Sequence, residues 1–384
     1  MRIAIDGRTL TGRFTGDRTY WRSLLRTMPN LAPDDTFLVY SRTPIPEGEL
    51  PDLPNVQPRV IEARNERLWT LTALPEAARR DQADLIHVQY TIPPRRLCPC
   101  PVVTTVHDIS FRLYPQWFPL KHRLLMNLTV PPSMRQADRV ITDSHSSRAD
   151  ILRTYKLPER QVVAIPLGLP DGFGTETDPE QARKFVAEKY GLTEPFLLAV
   201  GVMQPRKNLR MLARAFGLAK KRFKIPHTLA FVGKAGWGTE ENALRDEAEA
   251  GGGDVAVLAV RFPGYVEDAD LSLLYRACAA LVHPALYEGF GFPPLEAMAC
   301  GTPVVVSDRP SLPEVVGEAA FVVPATDPEA WAEALFRIVD DAPLRRDLAL
   351  RGPLRAAKFS WETTAQRTLE VYRAALERKR DDHE

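Results

Sequence analysis

The sequence has little cysteine, no long apolar run and almost no net charge, and each absence argues against a class of protein. Four cysteines in 384 residues are too few for a disulfide framework, and Cys98 and Cys100 have no second ligand pair nearby for zinc. No run of about eighteen apolar residues is present, so we expect neither a membrane span nor a secretory signal. A formal net charge of +1 gives no support to nucleic-acid binding. We therefore expect a globular protein of the reducing cytoplasm.

The charges are divided unevenly along the chain. Residues 1–168 hold 23 Lys and Arg against 17 Asp and Glu, whereas the remainder holds 27 against 32. A basic first half suits an anionic acceptor or a membrane surface, and ordinary scatter of solvated charge explains it equally well. The stretch from Phe118 to Met134 mixes leucines with Lys121, His122 and Arg123, so a weak peripheral membrane contact is one interpretation. Because only three residues are basic, a helix packed on the first sheet is the preferred one.

Apolar, β-rich runs alternate with helical segments in both halves of the chain. The predicted strands lie near 1–7, 36–41, 57–63, 85–90, 101–107, 139–144, 162–167, 196–200, 228–233, 259–263, 280–284, 303–307 and 319–323. Several of these runs are almost continuously hydrophobic, as strands covered on both faces of a parallel sheet must be. The length also suggests two cores. We predict two Rossmann-like, doubly wound α/β domains joined by the Gly- and Pro-rich linker 168–179.

The most informative segment is Tyr287-Glu-Gly-Phe-Gly-Phe-Pro-Pro-Leu-Glu-Ala-Met-Ala-Cys-Gly-Thr-Pro303. Proline is favoured in the first helical turn, so Pro293-Pro294 should open a short helix, and Gly301 is placed to end it in a left-handed cap. Glu288 then belongs to the loop before the helix, and Glu296 to its first turns. Backbone amides in this loop and turn suit an anion or sugar hydroxyls.

This segment resembles the E-x7-E signature of the retaining glycosyltransferases of family 4, which have the GT-B fold, and the resemblance runs from the first strand to the last helix. It implies that Glu288 contacts the donor sugar and that Glu296 binds the nucleotide ribose. Further donor-binding residues that it implies are Gly289, Phe290, Gly291, Phe292 and Leu295.

The resemblance also implies the organisation of the domains. Residues 1–170 form the acceptor-side domain and residues 171–360 form the nucleotide-sugar domain, and the two face each other across a cleft. Residues 361–384 form a C-terminal helix that crosses back to the first domain; the sequence itself shows only an amphipathic helix there.

Two adjacent cations, Arg206 and Lys207, follow the strand near 196–200 and precede a helix, a suitable place for a diphosphate. The resemblance implies that both bind the leaving diphosphate, although this chain has Val202 where many members of the family carry an arginine. It also places His107, at the end of the strand 101–107, beside the donor sugar. The catalytic residues expected are therefore His107, Arg206, Lys207 and Glu288.

Glycines at 7, 12 and 16 in the opening loop do not form the G-x-G-x-x-G pattern, which disfavours an NAD-dependent oxidoreductase. The loop is similar to the family's glycine loop, in which Gly16 approaches the donor. The serine cluster 142–147 is expected to cap the following helix. Asp268 and Asp270 make a D-x-D triplet, but they precede an apolar helix, so we interpret them as helix-start residues. No metal and no other cofactor is expected.

The function predicted is retaining transfer of a sugar from a nucleotide donor to a sugar or lipid-linked sugar acceptor in polysaccharide or glycolipid synthesis. The wording Val232-Gly-Lys-Ala-Gly-Trp237 is similar to that of mannosyltransferases and favours GDP-mannose. UDP-sugars remain an alternative, as does a catalytically silent nucleotide-sugar-binding scaffold. An epimerase or a glycoside phosphorylase of the same fold is a further alternative.

Overall fold

A computed structural model describes residues 1–12, 16–63, 65, 68–193, 195–234, 236–238 and 240–381. Within these residues the chain divides into two compact units, Met1–Gly168 with Ser360–Glu384 and Leu169–Phe359. Each unit is built on one parallel sheet, whose strands are largely buried on both faces. Each strand predicted from the apolar runs is present.

In the first unit the described strands form a seven-stranded sheet of order β3-β2-β1-β4-β5-β6-β7, with all neighbours parallel. The strands are β1 (Arg2–Asp6), β2 (Thr36–Ser41), β3 (Val56–Val60), β4 (Leu85–Gln89), β5 (Val102–Thr105), β6 (Arg139–Thr142) and β7 (Val162–Ala164). The helices are α1 (Gly16–Leu31), α2 (Leu74–Arg80), α3 (Ser110–Leu113), α4 (Leu120–Gln136) and α5 (His145–Tyr155). Short turns of other helical types are Arg8–Thr11, Trp69–Ala73, Arg95–Leu97, Pro115–Trp117 and Glu159–Gln161.

In the second unit the described strands form a six-stranded parallel sheet of order β10-β9-β8-β11-β12-β13. The strands are β8 (Phe196–Val200), β9 (Thr228–Val232), β10 (Val260–Gly264), β11 (Ala280–His283), β12 (Val304–Ser307) and β13 (Phe321–Val323). The helices are α6 (Pro179–Tyr190), α7 (Leu209–Phe223), α8 (Glu241–Gly252), α9 (Asp254–Leu258), α10 (Asp268–Ala277), α11 (Phe292–Ala299), α12 (Leu312–Val316), α13 (Pro328–Asp340) and α14 (Ala342–Ala356). A 3-10 turn, Pro205–Lys207, precedes α7.

The last helix, α15 (Trp361–Asp381), returns to the first unit and packs against α1. Its Tyr372 is fully buried, and its hydroxyl lies 2.6 Å from Nδ1 of His87 on β4. Its backbone is also bound from the sheet, since Arg139 donates to the carbonyl oxygen of Ala374 at 3.0 Å. The predicted fold class, two doubly wound α/β sheets with a returning C-terminal helix, is confirmed.

The strand order of each sheet reverses direction at one point, between β1 and β4 in the first unit and between β8 and β11 in the second. In open parallel sheets ligands bind beyond the carboxyl ends of strands at such a switch point. The loop after β8 carries Arg206 and Lys207, and the loop after β11 carries Glu288. The topology therefore brings residues 81 and 82 positions apart in the sequence to one edge of the second sheet.

Helix α4, which the sequence predicts to pack on the first sheet, packs there over only part of its length. Val130 and Met134, in its C-terminal half, belong to the core of the first unit. Leucines of its N-terminal half are exposed instead, so the packing prediction is right for one half only. Among the described helices, α4 included, none has both the length and the apolar character that a membrane crossing requires.

Candidate active site

The carboxylate of Glu288 is the centre of an ionic cluster in the second unit. Lys207 Nζ lies 2.5 Å from Oε1, and Arg206 Nη1 lies 2.7 Å from Oε2. His283 Nε2, at the end of β11, lies 3.2 Å from Oε1. Burial by itself would raise the pKa of the Glu288 carboxyl, but Arg206 and Lys207 hold that pKa well below its usual range. Glu288 is therefore ionised, and the two cations and one carboxylate leave a net positive charge.

The backbone after β8 is shaped to bring the two cations to this carboxylate. Gly201 has a φ of +138°, a conformation that residues with a β-carbon rarely adopt, and a Cβ there would lie 3.3 Å from Cε of Lys207. The carbonyl of Arg206 accepts from the amide of Leu286 at 2.8 Å, which joins the two loops directly. Asn208 donates its side-chain amide to the carbonyl oxygens of Pro284 and Ala325, at 3.2 and 2.8 Å.

Ser311 holds the loop that follows Glu288. Its hydroxyl lies 2.9 Å from the carbonyl oxygen of Glu288 and 2.7 Å from that of Phe290. Gly291 has a φ of +122°, and a Cβ there would come within 3.0 Å of Leu312. The hydrogen bonds of Ser311 and the close packing of Leu312 on Gly291 hold this loop in one conformation. The backbone amides at the start of α11 therefore have a defined direction.

Glu296 lies in α11 and is buried beside an aromatic hydroxyl. The hydroxyl of Tyr275 donates to Oε2 of Glu296 at 2.9 Å. Burial, and then the charge of Glu296, raise the pKa of Tyr275 well above its usual range, so the phenol keeps its proton. The helix begins at Phe292 with prolines in its first turn, ends at Ala299 and is followed by left-handed Gly301. The local geometry predicted for this segment is confirmed.

In the first unit, His107 follows β5 and is paired with Asp143, which follows β6. The Nδ1 atom of His107 lies 2.7 Å from Oδ2 of Asp143, and both side chains are buried. Burial alone would lower the pKa of the imidazole, but the adjacent Asp143 carboxylate outweighs it and raises the pKa of His107 to about 9. Asp143 thus orients the ring and favours its charged form.

The other nitrogen of His107 faces the loops after β1 and β4. Nε2 lies 3.0 Å from Nε2 of Gln89 and 3.6 Å from Oδ1 of Asp17. Gln89 also donates to the carbonyl oxygen of Asp17 at 3.1 Å, and within the described residues its Oε1 has no hydrogen-bond partner. This orientation suits a neutral imidazole. A half-turn of the amide would place Oε1 against the Nε2–H of a charged ring, so Gln89 can serve both protonation states.

Comparison with known proteins assigns the chain to a family. A model of the family described as Glycosyltransferase Family 4 matches residues 16–172, and one described as Glycosyl transferases group 1 matches residues 180–355. The O-antigen chain mannosyltransferase B of Escherichia coli is 35% identical over 272 residues, which are 71% of this chain and 70% of that protein. The chain belongs to glycosyltransferase family 4. It is a glycosyltransferase, and its two sheets are those of the GT-B fold.

One further relative and one solved structure match nearly the whole chain. The MMP alpha-(1->4)-mannosyltransferase of Mycolicibacterium hassiacum is 28% identical and spans 98% of this chain and 99% of its own length. The crystal structure of Anabaena HepE in complex with UDP and glucose aligns over 97% of this chain and 100% of that chain, with a TM-score of 0.72. Its sequence identity is 20%, so this likeness shows the fold.

For this family 4 member, the structure brings part of the predicted residue set together in each unit. Arg206, Lys207 and Glu288 are in direct contact. Gly16 begins α1, and its neighbour Asp17 faces His107. The remaining predicted residues of the 289–296 segment surround the start of α11. They are Gly289, Phe290, Gly291, Phe292, Leu295 and Glu296.

Individual positions in this set differ in what they can offer a ligand. The Leu295 side chain is fully buried in the second unit, and its amide donates to the carbonyl oxygen of Gly291 at 3.3 Å. A Cβ at Gly16 would contact none of the described atoms within 4 Å, so no packing in the described part of the chain requires glycine there. Residues 13–15 of the opening glycine loop lie outside the described residues.

Sequence reasoning missed several residues that organise these clusters. Asp143 was included only in a serine cluster, Gln89 was read as the end of a strand, and Ser311 and His283 were not singled out. Asp143, Gln89 and Ser311 act on residues 18 to 36 positions away, so no local spacing marks them. His283 lies only five residues before Glu288, but its contact depends on the fold of the loop between them. The capping prediction for that serine cluster is confirmed, because Ser144 Oγ accepts from the amide of Ser147 at 3.0 Å.

The D-x-D triplet of Asp268 and Asp270 opens helix α10, as predicted: the helix begins at Asp268. Asp270 accepts from Lys189 Nζ at 2.5 Å and from the hydroxyl of Tyr190 at 2.6 Å. The carboxylate thereby ties α10 to the end of α6, which is a structural role.

Proposed function

We propose that this glycosyltransferase transfers mannose from GDP-mannose to a hydroxyl of a sugar or lipid-linked sugar, with retention of the anomeric configuration, in polysaccharide or glycolipid synthesis. The observation that carries the proposal is the cluster in which half-buried Arg206 and buried Lys207 both contact the buried carboxylate of Glu288, at the switch point of the second sheet. It places two cations beside one carboxylate.

Arg206 and Lys207 are the residues that we assign to the diphosphate. At an effective dielectric constant of about 20, one charge pair at about 4 Å contributes on the order of 4 kcal/mol before desolvation is subtracted. Charge grows on the phosphate oxygen as its bond to the anomeric carbon breaks, so fixed cations stabilise the transition state more than the ground state. These cations supply the positive charge that a divalent metal supplies in other transferases.

The carboxylates are assigned to the sugar and the ribose. Glu288 would accept from hydroxyls of the transferred sugar and keep the cations in place before the donor binds. Glu296, held by Tyr275, would accept from ribose hydroxyls. Amides at the start of α11 add neutral donors.

In the reaction that we propose, the acceptor oxygen bonds to the anomeric carbon on the face that GDP leaves. The carbon–phosphate oxygen bond breaks, its electron pair departs with GDP, and the acceptor proton passes to the departing phosphate oxygen. From the first unit, His107 would donate to a hydroxyl of the donor sugar, in the orientation that Asp143 sets.

The choice of mannose rests on the names of two relatives, both called mannosyltransferases. A panel of GDP-, UDP-, ADP- and TDP-sugars tests it directly, because a bound donor raises the melting temperature by mass action. We expect the largest shift with GDP-mannose. A larger shift with a UDP-sugar would replace the donor while leaving the reaction class intact.

Retention is tested by proton NMR of the product formed from an α-linked donor. An α-linked product is expected, and a β-linked product would exclude the same-face displacement. Tight donor binding without turnover of any sugar or lipid-linked acceptor would support the scaffold alternative instead.

A further inference from the structure

The N-terminal half of α4 presents leucines to solvent. The exposed fractions of Leu120, Leu124, Leu125 and Leu128 are 58%, 58%, 43% and 74%. Positions 120, 124 and 128 are spaced four residues apart, so their side chains form one stripe along the helix. Scattered exposed leucines are ordinary, but a contiguous stripe of this kind marks an interaction surface.

Helix α4 is apolar on two sides. Its inner side packs Met126, Val130 and Met134 on the core of the first unit. A surface helix normally covers its outer side with charge, as α7 does with Arg210 and Lys221. Because the inner side of α4 already anchors it to the sheet, folding of the unit does not explain the outer leucines.

The charge along the segment that carries this stripe has one sign. The segment 109–137 contains four Lys or Arg and no Asp or Glu. The cations are Arg112, Lys121, Arg123 and Arg135. Lys121 lies between the exposed leucines, and His122 and Arg123 follow it. Leucines interleaved with cations fit an anionic lipid leaflet, whose acyl chains are apolar and whose headgroups carry negative charge.

Aromatic residues extend this surface before the helix begins. The rings of Tyr114 and Trp117 stack with their centroids 4.2 Å apart, and those of Phe118 and His122 stack at 5.7 Å. Trp117 and Phe118 are half-buried. Tyr and Trp, which carry a polar O–H or N–H group on an apolar ring, favour the headgroup level of a bilayer.

We propose that residues 114–128, here called the α4 face, dock the enzyme on an anionic lipid surface. The helix lies in the plane of the headgroups, with Leu120, Leu124, Leu125 and Leu128 entering the acyl boundary and Lys121 and Arg123 at the phosphates. The contact is peripheral. It rests on the fold of the first unit and needs neither donor nor acceptor, so its success or failure is separate from that of the proposed reaction.

Flotation of the full chain with vesicles tests the proposal. We expect binding to vesicles of 30% phosphatidylglycerol in phosphatidylcholine and at least tenfold weaker binding to phosphatidylcholine alone. The double variant Leu124→Ser/Leu128→Ser should lose at least tenfold in partitioning. Replacing Lys121 by Ser should weaken binding about fivefold at low salt, since one cation near such a surface contributes about 1 kcal/mol.

A matched control lies in the second unit. Leu350 and Leu354 on α14 are 73% and 72% exposed and are also spaced four residues apart. The variant Leu350→Ser/Leu354→Ser should bind vesicles as the unmodified chain does, and far-ultraviolet circular dichroism should show both double variants folded.

Three results would overturn the proposal. The first is no flotation of the unmodified chain with the anionic vesicles. The second is an equal loss in the two double variants. The third is a concentration-dependent dimer that Leu124→Ser/Leu128→Ser abolishes while vesicle binding is absent, which would make the α4 face an interface between two copies of the chain.

Discussion

Lys207 Nζ lies 2.5 Å from Oε1 of Glu288, and both side chains are buried. Each charge is tolerated in this position because the other is present. Removing one partner of a buried ion pair leaves an uncompensated charge, whereas removing both leaves none. Loss of either partner alone should therefore destabilise the second unit, apart from any effect on catalysis.

Replacing Glu288 by Gln should lower the free energy of unfolding by about 3–5 kcal/mol, because Lys207 then stays buried without its carboxylate. The double variant Glu288→Gln/Lys207→Met should lose less free energy of unfolding than the two single variants lose together. Urea unfolding of the unmodified protein, the two single variants and the double variant completes this double-mutant cycle. As a control, Arg351→Met removes an exposed ion pair to Asp347 and should change stability by about 0.5 kcal/mol or less. Additive losses in the cycle would contradict direct coupling of Lys207 and Glu288.

Replacing Arg206 by Ala should lower kcat/KM for the donor about 10²- to 10³-fold, since one group that stabilises developing charge is lost. Activity should not be lost completely, because the neighbouring cation Lys207 is still present. Steady-state kinetics with GDP-mannose measures the change, with Arg210→Ala as the control. Arg210 lies in the first turn of α7 and pairs with Glu247 on the surface, so its removal should leave kcat/KM unchanged. Equal losses in the two variants would remove the diphosphate role of Arg206.

Replacing Glu296 by Ala should raise the donor KM while kcat changes little, because a ribose contact is made equally in the ground and transition states. The variant Tyr275→Phe removes only the hydroxyl that donates to Glu296 and should raise KM by a smaller factor. Donor titrations at saturating acceptor separate KM from kcat. An unchanged KM in Glu296→Ala would exclude the ribose role.

The His107–Asp143 pair should make stability fall between neutral and alkaline pH. The folded pKa of His107 is raised to about 9, above the ordinary 6.5. The stabilisation is therefore complete below pH 6.5 and is lost as pH rises through 9. One proton limits the slope to about 1.4 kcal/mol per pH unit. Urea unfolding at intervals from pH 6 to 9.5 measures it.

The variant Asp143→Asn removes the carboxylate that raises the pKa of His107, so the fall of stability with pH should disappear. Glu159→Gln, on an exposed carboxylate, serves as the control and should keep the slope. A slope that persists in Asp143→Asn would show that another group titrates in this range.

Much of the fold is encoded locally. Short apolar runs mark the strands because both faces of a parallel strand are covered, and the strands from β1 to β13 lie at the predicted runs. Pro293, Pro294 and Gly301 set the limits of α11 through their own backbone preferences. These features depend on residues close together in the chain, so a sequence pattern is enough to locate them.

Partner choice is not local. Asp143 and His107 are 36 residues apart, and Lys207 and Glu288 are 81 apart. They meet because parallel strands deliver their carboxyl ends to one edge of a sheet, and the order of the strands decides which loops are neighbours. A contact of Glu288 with the donor sugar stays a prediction, whereas the tertiary structure shows that Glu288 binds both Arg206 and Lys207.

Exposure of α4 also depends on the tertiary structure. Its composition is compatible with a packed helix and with a surface helix, since apolar residues occur on two sides of it. The sequence by itself determined the α/β class, the positions of the strands and the two glutamates with their helix. Which charges pair, which histidine is held by a carboxylate and which leucines face water were decided by packing between distant segments, because burial and ionic contact are properties of the folded chain.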